Sequence, residues 1–300
     1  MLGIVHVLEY TQSVNYSTRN TSQDEPGTMR RSSGDRAILA RMARASNSGI
    51  LSVAKAAVAL RLDRRQAALK LAGFVRRGWL VRARRGLYLL LPLEAEPGKP
   101  SVAEDPWILA REAFAPCYIG GWSAAEHWGL TEQLFRSTLV VTGASVRAKT
   151  AQLLGHEFRL FRVPRPRIDG AVLVWRGAER VAVSDRERTI VDGLRQPALC
   201  GGLRHVAQMM SAYGEAKERD FDKLIATAKK HGSGAAWKRL GYLAEVLWPD
   251  ETHLAEAARR RMTKGNARLD PAIKRPGRLL RRWGILVNVT VSGNEPKARA

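Results

Sequence analysis

The sequence predicts an α+β protein in which a small helical domain precedes a larger, mixed α/β domain. Helical and strand patterns alternate along the chain, a polar stretch with Pro and Gly at 94–101 is typical of a linker, and the positive charge is concentrated in two regions. These observations divide the chain into a polar lead-in (1–33), a small domain (34–93), the linker, a larger domain (102–291) and a frayed tail (292–300).

Three helices are predicted in the small domain. The first, Asp35–Ala45, spaces its apolar residues as a helix does and has Asp35 as its N-cap. The second, Ser52–Leu60, consists mainly of small apolar residues, so we expect its neighbours to cover it. The third begins at Asp63, because Asp63 and Gln66 have the spacing of a capping box.

A β-hairpin is predicted after the third helix. Trp79–Ala83 and Leu87–Leu91 have strand composition, and Gly86 between them can supply the positive φ that such a turn needs. Three helices followed by a hairpin is the order of a winged helix-turn-helix, in which the third helix enters the major groove and the hairpin forms the wing. We therefore expect residues 34–93 to be a DNA-binding domain.

The distribution of charge also points to double-stranded DNA as a partner. The net charge is +22 and the sequence pI is about 10.9. Residues 30–92 hold 15 Lys/Arg against 2 Asp/Glu, and residues 254–282 hold 10 against 2, so these two regions together carry +21 of the total. A basic surface of this kind attracts polyanions, and the predominance of arginine suits phosphate and guanine recognition.

The candidate DNA-contacting side chains lie on the outward face of the third helix and at the hairpin. Arg65 is the candidate base reader, with guanine as its natural target. Leu69 could contact a thymine methyl group or pack against a second protomer, and the hairpin arginines could each neutralise a phosphate. The candidate set is Arg64, Arg65, Gln66, Leu69, Lys70, Arg76, Arg82, Arg84 and Arg85.

The second basic region is a further candidate contact to DNA. It is rich in arginine and lies near the end of the larger domain. Its candidate residues are Arg259, Arg260, Arg261, Lys264, Arg278, Arg281 and Arg282.

The larger domain is predicted to contain one mixed sheet with helices packed around it. Strand composition marks 139–142, 157–163, 171–175, 181–183 and 285–291, and helical patterns mark 188–194, 206–210, 221–228, 237–247 and 254–261. Capping-box spacing at Ser123 and Glu126, and again at Ser184 and Glu187, predicts two helix starts.

An enzyme is the main competing interpretation. Asp185, Glu187 and Asp192 could hold Mg²⁺ between them in a metal-dependent nuclease. The favoured explanation is structural, because Asp185 and Glu187 fall in the first turn of a helix, where the helix dipole favours negative charge. We expect no catalytic residues, no metal site and no cofactor, since neither a phosphate-binding glycine loop nor a Cys/His zinc spacing occurs.

Several segments together resemble the AbiEi-type antitoxins, the transcriptional-regulator half of bacterial AbiE toxin–antitoxin systems. The resemblance rests on an ordered set of segments over roughly residues 35–290. These are RRGLYLLLP (84–92), YIGGWSAAEHWGLTEQ (118–133), VVTGASVRAKT (140–150), VAVSDRERTIVDGLRQP (181–197), CGGLRHVAQMM (200–210) and WKRLGYLAEVLW (237–248). The resemblance implies a winged helix that represses its own operon and a second domain that counters a nucleotidyltransferase-like toxin.

The sequence therefore predicts a sequence-specific autorepressor and antitoxin, which could bind as two molecules to an inverted repeat in its own promoter. The alternatives are the nuclease and a nucleoid-associated protein without sequence specificity. We expect a cytoplasmic protein located at the nucleoid, because no apolar run approaches the roughly 18 residues that cross a bilayer and Leu2–Leu8 lacks the features of a secretory signal.

Overall fold

The computed structural model describes residues 33–91 and 105–291. The predicted lead-in up to residue 32, the linker at 94–101 and the tail at 292–300 lie outside the described residues. Over the described ranges the chain has mixed helices and sheets, so the predicted α+β class is confirmed. No helix within these ranges is both long enough and apolar enough to span a bilayer.

The N-terminal unit, residues 33–91, contains three helices and a three-stranded antiparallel sheet. Its helices are α1 (Ser33–Ala45), α2 (Val53–Leu60) and α3 (Arg64–Arg76), and its strands are β1 (Ile50–Ser52), β2 (Leu80–Arg84) and β3 (Leu87–Leu90). The strand order is β1-β3-β2, and Gly86 turns the β2–β3 hairpin with φ of 81°. A compact core forms where the helices meet the sheet; it includes Met42, Leu71, Phe74 and Leu80.

The sequence predicted the start of α3 correctly, but it was less accurate for the start of α1 and for the burial of α2. The predicted capping box is present, with Asp63 accepting from the Gln66 N–H and the Gln66 side chain accepting from the Asp63 N–H. Asp35 is not the N-cap of α1, because the helix begins two residues earlier and Asp35 instead pairs with Arg77 at 2.6 Å. The expectation that neighbours cover α2 is wrong for Val58, which is 81% exposed.

The second unit, residues 105–291, is built on a six-stranded mixed sheet. The strands of this sheet are β4 (Cys117–Ile119), β5 (Ser137–Thr142), β6 (Thr150–Leu153), β7 (His156–Arg162), β8 (Val172–Arg176) and β9 (Glu179–Val183). Their order is β6-β7-β5-β4-β9-β8, with parallel pairing at β5–β7 and β4–β9.

Seven α-helices, three short 3-10 helices and a second small sheet complete this unit over the described residues. The helices are α4 (Pro106–Phe114), α5 (Gly121–His127), α6 (Arg186–Arg195), α7 (Leu203–Glu215), α8 (Phe221–His231), α9 (Gly234–Leu247) and α10 (Thr252–Arg259). The strands β10 (Ala267–Arg268), β11 (Arg278–Leu280) and β12 (Ile285–Val287) form a separate sheet of order β10-β12-β11. The prediction of one mixed sheet is therefore wrong, because the closing strand pairs with β10 and β11 and joins the second sheet.

The two capping boxes predicted in this unit do not form as expected. Helix α5 begins at Gly121, and the Ser123 hydroxyl accepts a hydrogen bond from the Leu139 N–H on β5 at 2.9 Å. The N-cap of α6 is Asp185, which accepts from the Arg188 N–H at 2.8 Å, whereas Ser184 bonds with the Thr189 hydroxyl. Each serine therefore bonds to a residue other than the one that the capping-box spacing predicts: Ser123 to β5 and Ser184 to Thr189.

The N-terminal unit packs directly on the second unit. Ile50, Leu87 and Leu89 share one buried apolar cluster with α4 and the six-stranded sheet, including Phe158. At the same junction the Glu112 carboxylate accepts from the Asn47 amide at 2.7 Å and from Lys55 at 3.0 Å. The orientation of the three-helix unit is thereby fixed by apolar and polar contacts together.

Two helical glycines allow a matched test of the packing. A Cβ at Gly241 in α9 would overlap the Trp283 ring, whereas a Cβ at Gly73 in α3 meets only the end of the Arg76 side chain at 3.8 Å. We expect Gly241→Ala to lower the free energy of unfolding by about 1–3 kcal/mol, because Trp283 is fully buried and cannot retreat.

Gly73→Ala is the control and should raise the free energy of unfolding by roughly 0.5–1 kcal/mol, since alanine is the better helix former. Urea unfolding followed by circular dichroism measures both variants. A Gly241→Ala protein as stable as the wild type would contradict the tight contact between α9 and Trp283.

Candidate nucleic-acid interface

Helix α3 presents a basic face to solvent. Its core side is made by Ala67, Leu71 and Phe74, which are buried. The side chains on the other side are exposed; they are Arg64, Arg65, Gln66, Leu69, Lys70 and Arg76. Ala72 and Gly73, between the basic residues of this face, are small, so the helix backbone can approach a partner closely.

The structure adds detail at two residues of this face. The side-chain carbonyl of Gln66 accepts from the Asp63 N–H at 3.2 Å, so the capping box uses its acceptor and leaves the amide N–H₂ to face outward. Leu69 is 66% exposed and borders a groove of about 590 Å³ between α1 and α3, which Ile38 and Lys70 also line.

The hairpin arginines do not act as one group. Arg82 and Arg85 have exposed side chains, as predicted for a phosphate-contacting hairpin. Arg84 is also exposed, but its guanidinium donates to the Ala113 carbonyl in α4 and lies 5.6 Å from the Phe114 ring centroid. Partial desolvation at this contact lowers the pKa of Arg84 from the ordinary arginine value. The contact with α4 sets Arg84 apart from Arg82 and Arg85, and its predicted phosphate contact stays a prediction.

Arg61 is an exposed cation beside α3 that lies between the predicted second and third helices. It ends α2 in the left-handed conformation, with φ of 56° and ψ of 47°. Glycine or asparagine normally marks this position, so the residue type gave no signal that Arg61 would project next to the start of α3. Its place in the connection between α2 and α3 adds it to the basic surface that α3 begins.

The second basic region divides into supported and paired cations. The guanidinium carbons of Arg259 and Arg261 lie 5.4 Å and 5.3 Å from the ring centroids of Trp283 and Trp237. Arg260 pairs with Glu256 at 3.2 Å and Arg282 with Glu245 at 2.7 Å, so part of their charge is offset. Among the candidate residues, Lys264, Arg278 and Arg281 are exposed and have neither a tryptophan nor an ion-pair partner within the described residues.

The carboxylates that could have formed a nuclease centre each have a structural partner. Asp185 caps α6, and the buried Glu187 accepts from Tyr213 at 2.9 Å and from Lys223 at 2.6 Å. Asp192 is buried and accepts from Tyr118 at 2.6 Å and from Arg188 at 2.9 Å. No cluster of His, Cys, Asp or Glu suited to a metal ion occurs in the described part of the chain.

The described residues form a mixed α+β fold in which a three-helix unit packs on a six-stranded sheet. No protein-family model matches the sequence, and no curated protein matches it. Among solved structures, the chain is similar to the RV2827C protein from Mycobacterium tuberculosis, with a TM-score of 0.55 and 18% identity over 84% of this chain and 90% of that one. At this identity the likeness concerns the fold alone.

The buried ion pair of α6 yields a stability prediction. Asp192→Ala should cost about 3–5 kcal/mol of folding free energy, because it leaves the Arg188 guanidinium buried without a countercharge. The control is Glu256→Gln, which removes an exposed i,i+4 pair with Arg260 and should leave the denaturation midpoint almost unchanged. Equal effects of the two substitutions on urea unfolding would argue against a buried network at α6.

Proposed function

We propose that this chain is a sequence-specific, DNA-binding transcriptional regulator whose N-terminal unit is a winged helix-turn-helix. The observation that carries the proposal is the joint exposure of cations on α3 and on the hairpin that follows it. In a winged helix these two elements meet the same duplex, one in the major groove and one on the sugar-phosphate backbone. The proposed partner is the double-stranded DNA of its own promoter. The proposed cellular location is the nucleoid, in the cytoplasm.

The roles of individual residues follow from their positions. Arg65 lies in the first turn of α3, where a recognition helix contacts base edges, and its planar guanidinium can donate two hydrogen bonds to guanine. Arg64 and Lys70 flank it and would neutralise phosphates together with Arg82 and Arg85. Arg84 is left out of the proposed contact and instead holds the hairpin against α4.

We further propose that the protein serves as the antitoxin of a toxin–antitoxin pair, acting against a nucleotidyltransferase-like toxin. This part rests on the resemblance of the ordered segments to the AbiEi-type antitoxins. The nuclease alternative has little support, because Asp185, Glu187 and Asp192 are each engaged by a cap, a lysine or an arginine. We therefore propose no enzymatic activity.

The DNA-binding proposal is tested by two arginines with different proposed roles. We expect Arg65→Ala to weaken binding to the upstream promoter fragment by about 1–3 kcal/mol, which is on the order of 5- to 150-fold, with a smaller loss on random DNA. Arg85→Ala should weaken binding to both DNAs alike and reduce the salt slope by about one, since one phosphate contact is lost. Fluorescence anisotropy titrations over a series of salt concentrations measure both effects.

Arg84→Ala is the matched control in the hairpin. Because its guanidinium contacts α4, we expect it to lower thermal stability while leaving the salt slope as in the wild type. Equal affinity of the wild type for promoter and random fragments would favour a nucleoid-associated protein. Plasmid cleavage in Mg²⁺ that Asp185→Ala abolishes would replace the regulator with a nuclease.

The antitoxin proposal is tested in cells. If the gene beside this one encodes a nucleotidyltransferase-like protein, we expect its expression to arrest growth and co-expression of this chain to restore it. The Arg65→Ala and Arg85→Ala variants should still restore growth when both genes are driven by foreign promoters, because the proposed DNA contact is separate from neutralisation. Persistent arrest in the presence of folded wild-type protein would contradict the antitoxin role.

A further inference from the structure

Strand β8 forms one edge of the six-stranded sheet and carries unusual apolar exposure. Strand β9 is its one neighbour within the described residues. Leu173 and Trp175 are 60% and 65% exposed, and Val172 is also exposed. An edge strand with unpaired backbone groups and exposed apolar side chains is a template for another strand, and proteins usually protect such edges with charge, proline or a bulge. The apolar run Val172–Trp175 contains neither a charge nor a proline.

The β8–β9 register shows which backbone groups face the open edge. Arg176 pairs with Glu179 across the two-residue turn Gly177–Ala178, so these two residues form a hydrogen-bonded pair. Hydrogen-bonded pairs alternate along an antiparallel ladder, so Val174 also bonds towards β9. The N–H and C=O groups of Leu173 and Trp175 therefore point away from β9, towards the edge.

We propose that β8 pairs with β8 of a second copy of this chain, antiparallel, about a twofold axis at Val174. In this register Leu173 lies opposite Trp175 of the second copy, and the outward backbone groups of the two residues bond to each other. With the axis at Val174, the central residue of β8, each of the five residues of the strand lies opposite a residue of the second β8. The two sheets would then join into one sheet of twelve strands.

The side chains of the two copies are complementary in this register. Strands β9 and β8 of the two copies would lie side by side. On one face of these four strands, the central row would consist of Val181 and Val174 from each copy. On the other face, each Trp175 would contact Leu173 across the axis while Arg180 covers its other side, 5.2 Å from the ring centroid. Such aromatic–aliphatic cross-strand pairs contribute to sheet stability.

The charges are also compatible with self-pairing. Arg176 would lie opposite Val172 of the second copy, so the two Arg176 side chains do not face each other. Each Arg176 remains beside Glu179 of its own chain and keeps its ion pair with Asp105 at 2.7 Å. No pair of like charges is brought together at the axis, which answers the main objection to joining two chains of net charge +22.

The proposed dimer is tested on the full chain without DNA, so its outcome does not depend on the DNA-binding proposal. Because a five-residue strand pair is a small interface, we expect the mass from light scattering to rise with concentration from 33.2 kDa towards twice that value. Trp175→Glu and Leu173→Pro should hold the protein at the monomer mass. Leu173→Pro removes an outward N–H while leaving the bonds to β9 intact.

The control substitution is Leu134→Glu, since Leu134 is 85% exposed and lies outside the strand. The Leu134→Glu protein should dimerise as the wild type does.

A second measurement tests the register of the two strands. Val174→Cys places two thiols at the axis, where opposed Cα atoms are about 4.5 Å apart, and should give a covalent dimer on oxidation. Leu134→Cys and the wild type, with its own Cys117 and Cys200, should not. A monomer mass at every concentration together with no crosslink in Val174→Cys would overturn the proposal.

Discussion

The buried ion pair between Arg188 and Asp192 is the constraint on which the second unit depends. Helix α6 is buried along most of its length, yet it carries charged residues that lose their hydration there. Asp192 also accepts from Tyr118 on β4, and Arg188 donates to the carbonyl of Arg167 at 2.9 Å. Because each charge must find its partner, β4, α6 and the segment after β7 are held in one mutual arrangement.

A second polar contact joins the two units. Burial alone would raise the pKa of Glu112, but hydrogen bonds from Lys55 and Asn47 and the nearby Arg111 charge bring that pKa below its ordinary value. The carboxylate is therefore charged at neutral pH and remains a strong acceptor between α4 and the N-terminal unit. Together with Arg84 over Phe114, it holds the hairpin against α4, while the Arg82 and Arg85 side chains stay exposed.

The proposals concern surfaces that differ in chemistry. The basic face of α3 suits a polyanion, whereas the apolar edge of β8 suits another strand. If two copies join through β8, their N-terminal units are related by a twofold axis, which is the symmetry of an inverted repeat. Electrostatic attraction to the duplex and strand pairing between proteins would then reinforce each other, although each can be measured separately.

The sequence by itself determined the features that arise within a few residues of chain. The capping box at Asp63, the three-helix and hairpin order and the concentration of charge were all readable, because their causes are local spacing and composition. Short strands such as β1 and β4 were missed, since three residues show no period and become strands only through their partners. Tertiary structure alone decided that Arg84 turns to α4, that Ser123 serves β5 and that the closing strand joins a second sheet. In each of these cases the deciding partner lies far away in the sequence, where no local pattern can indicate it.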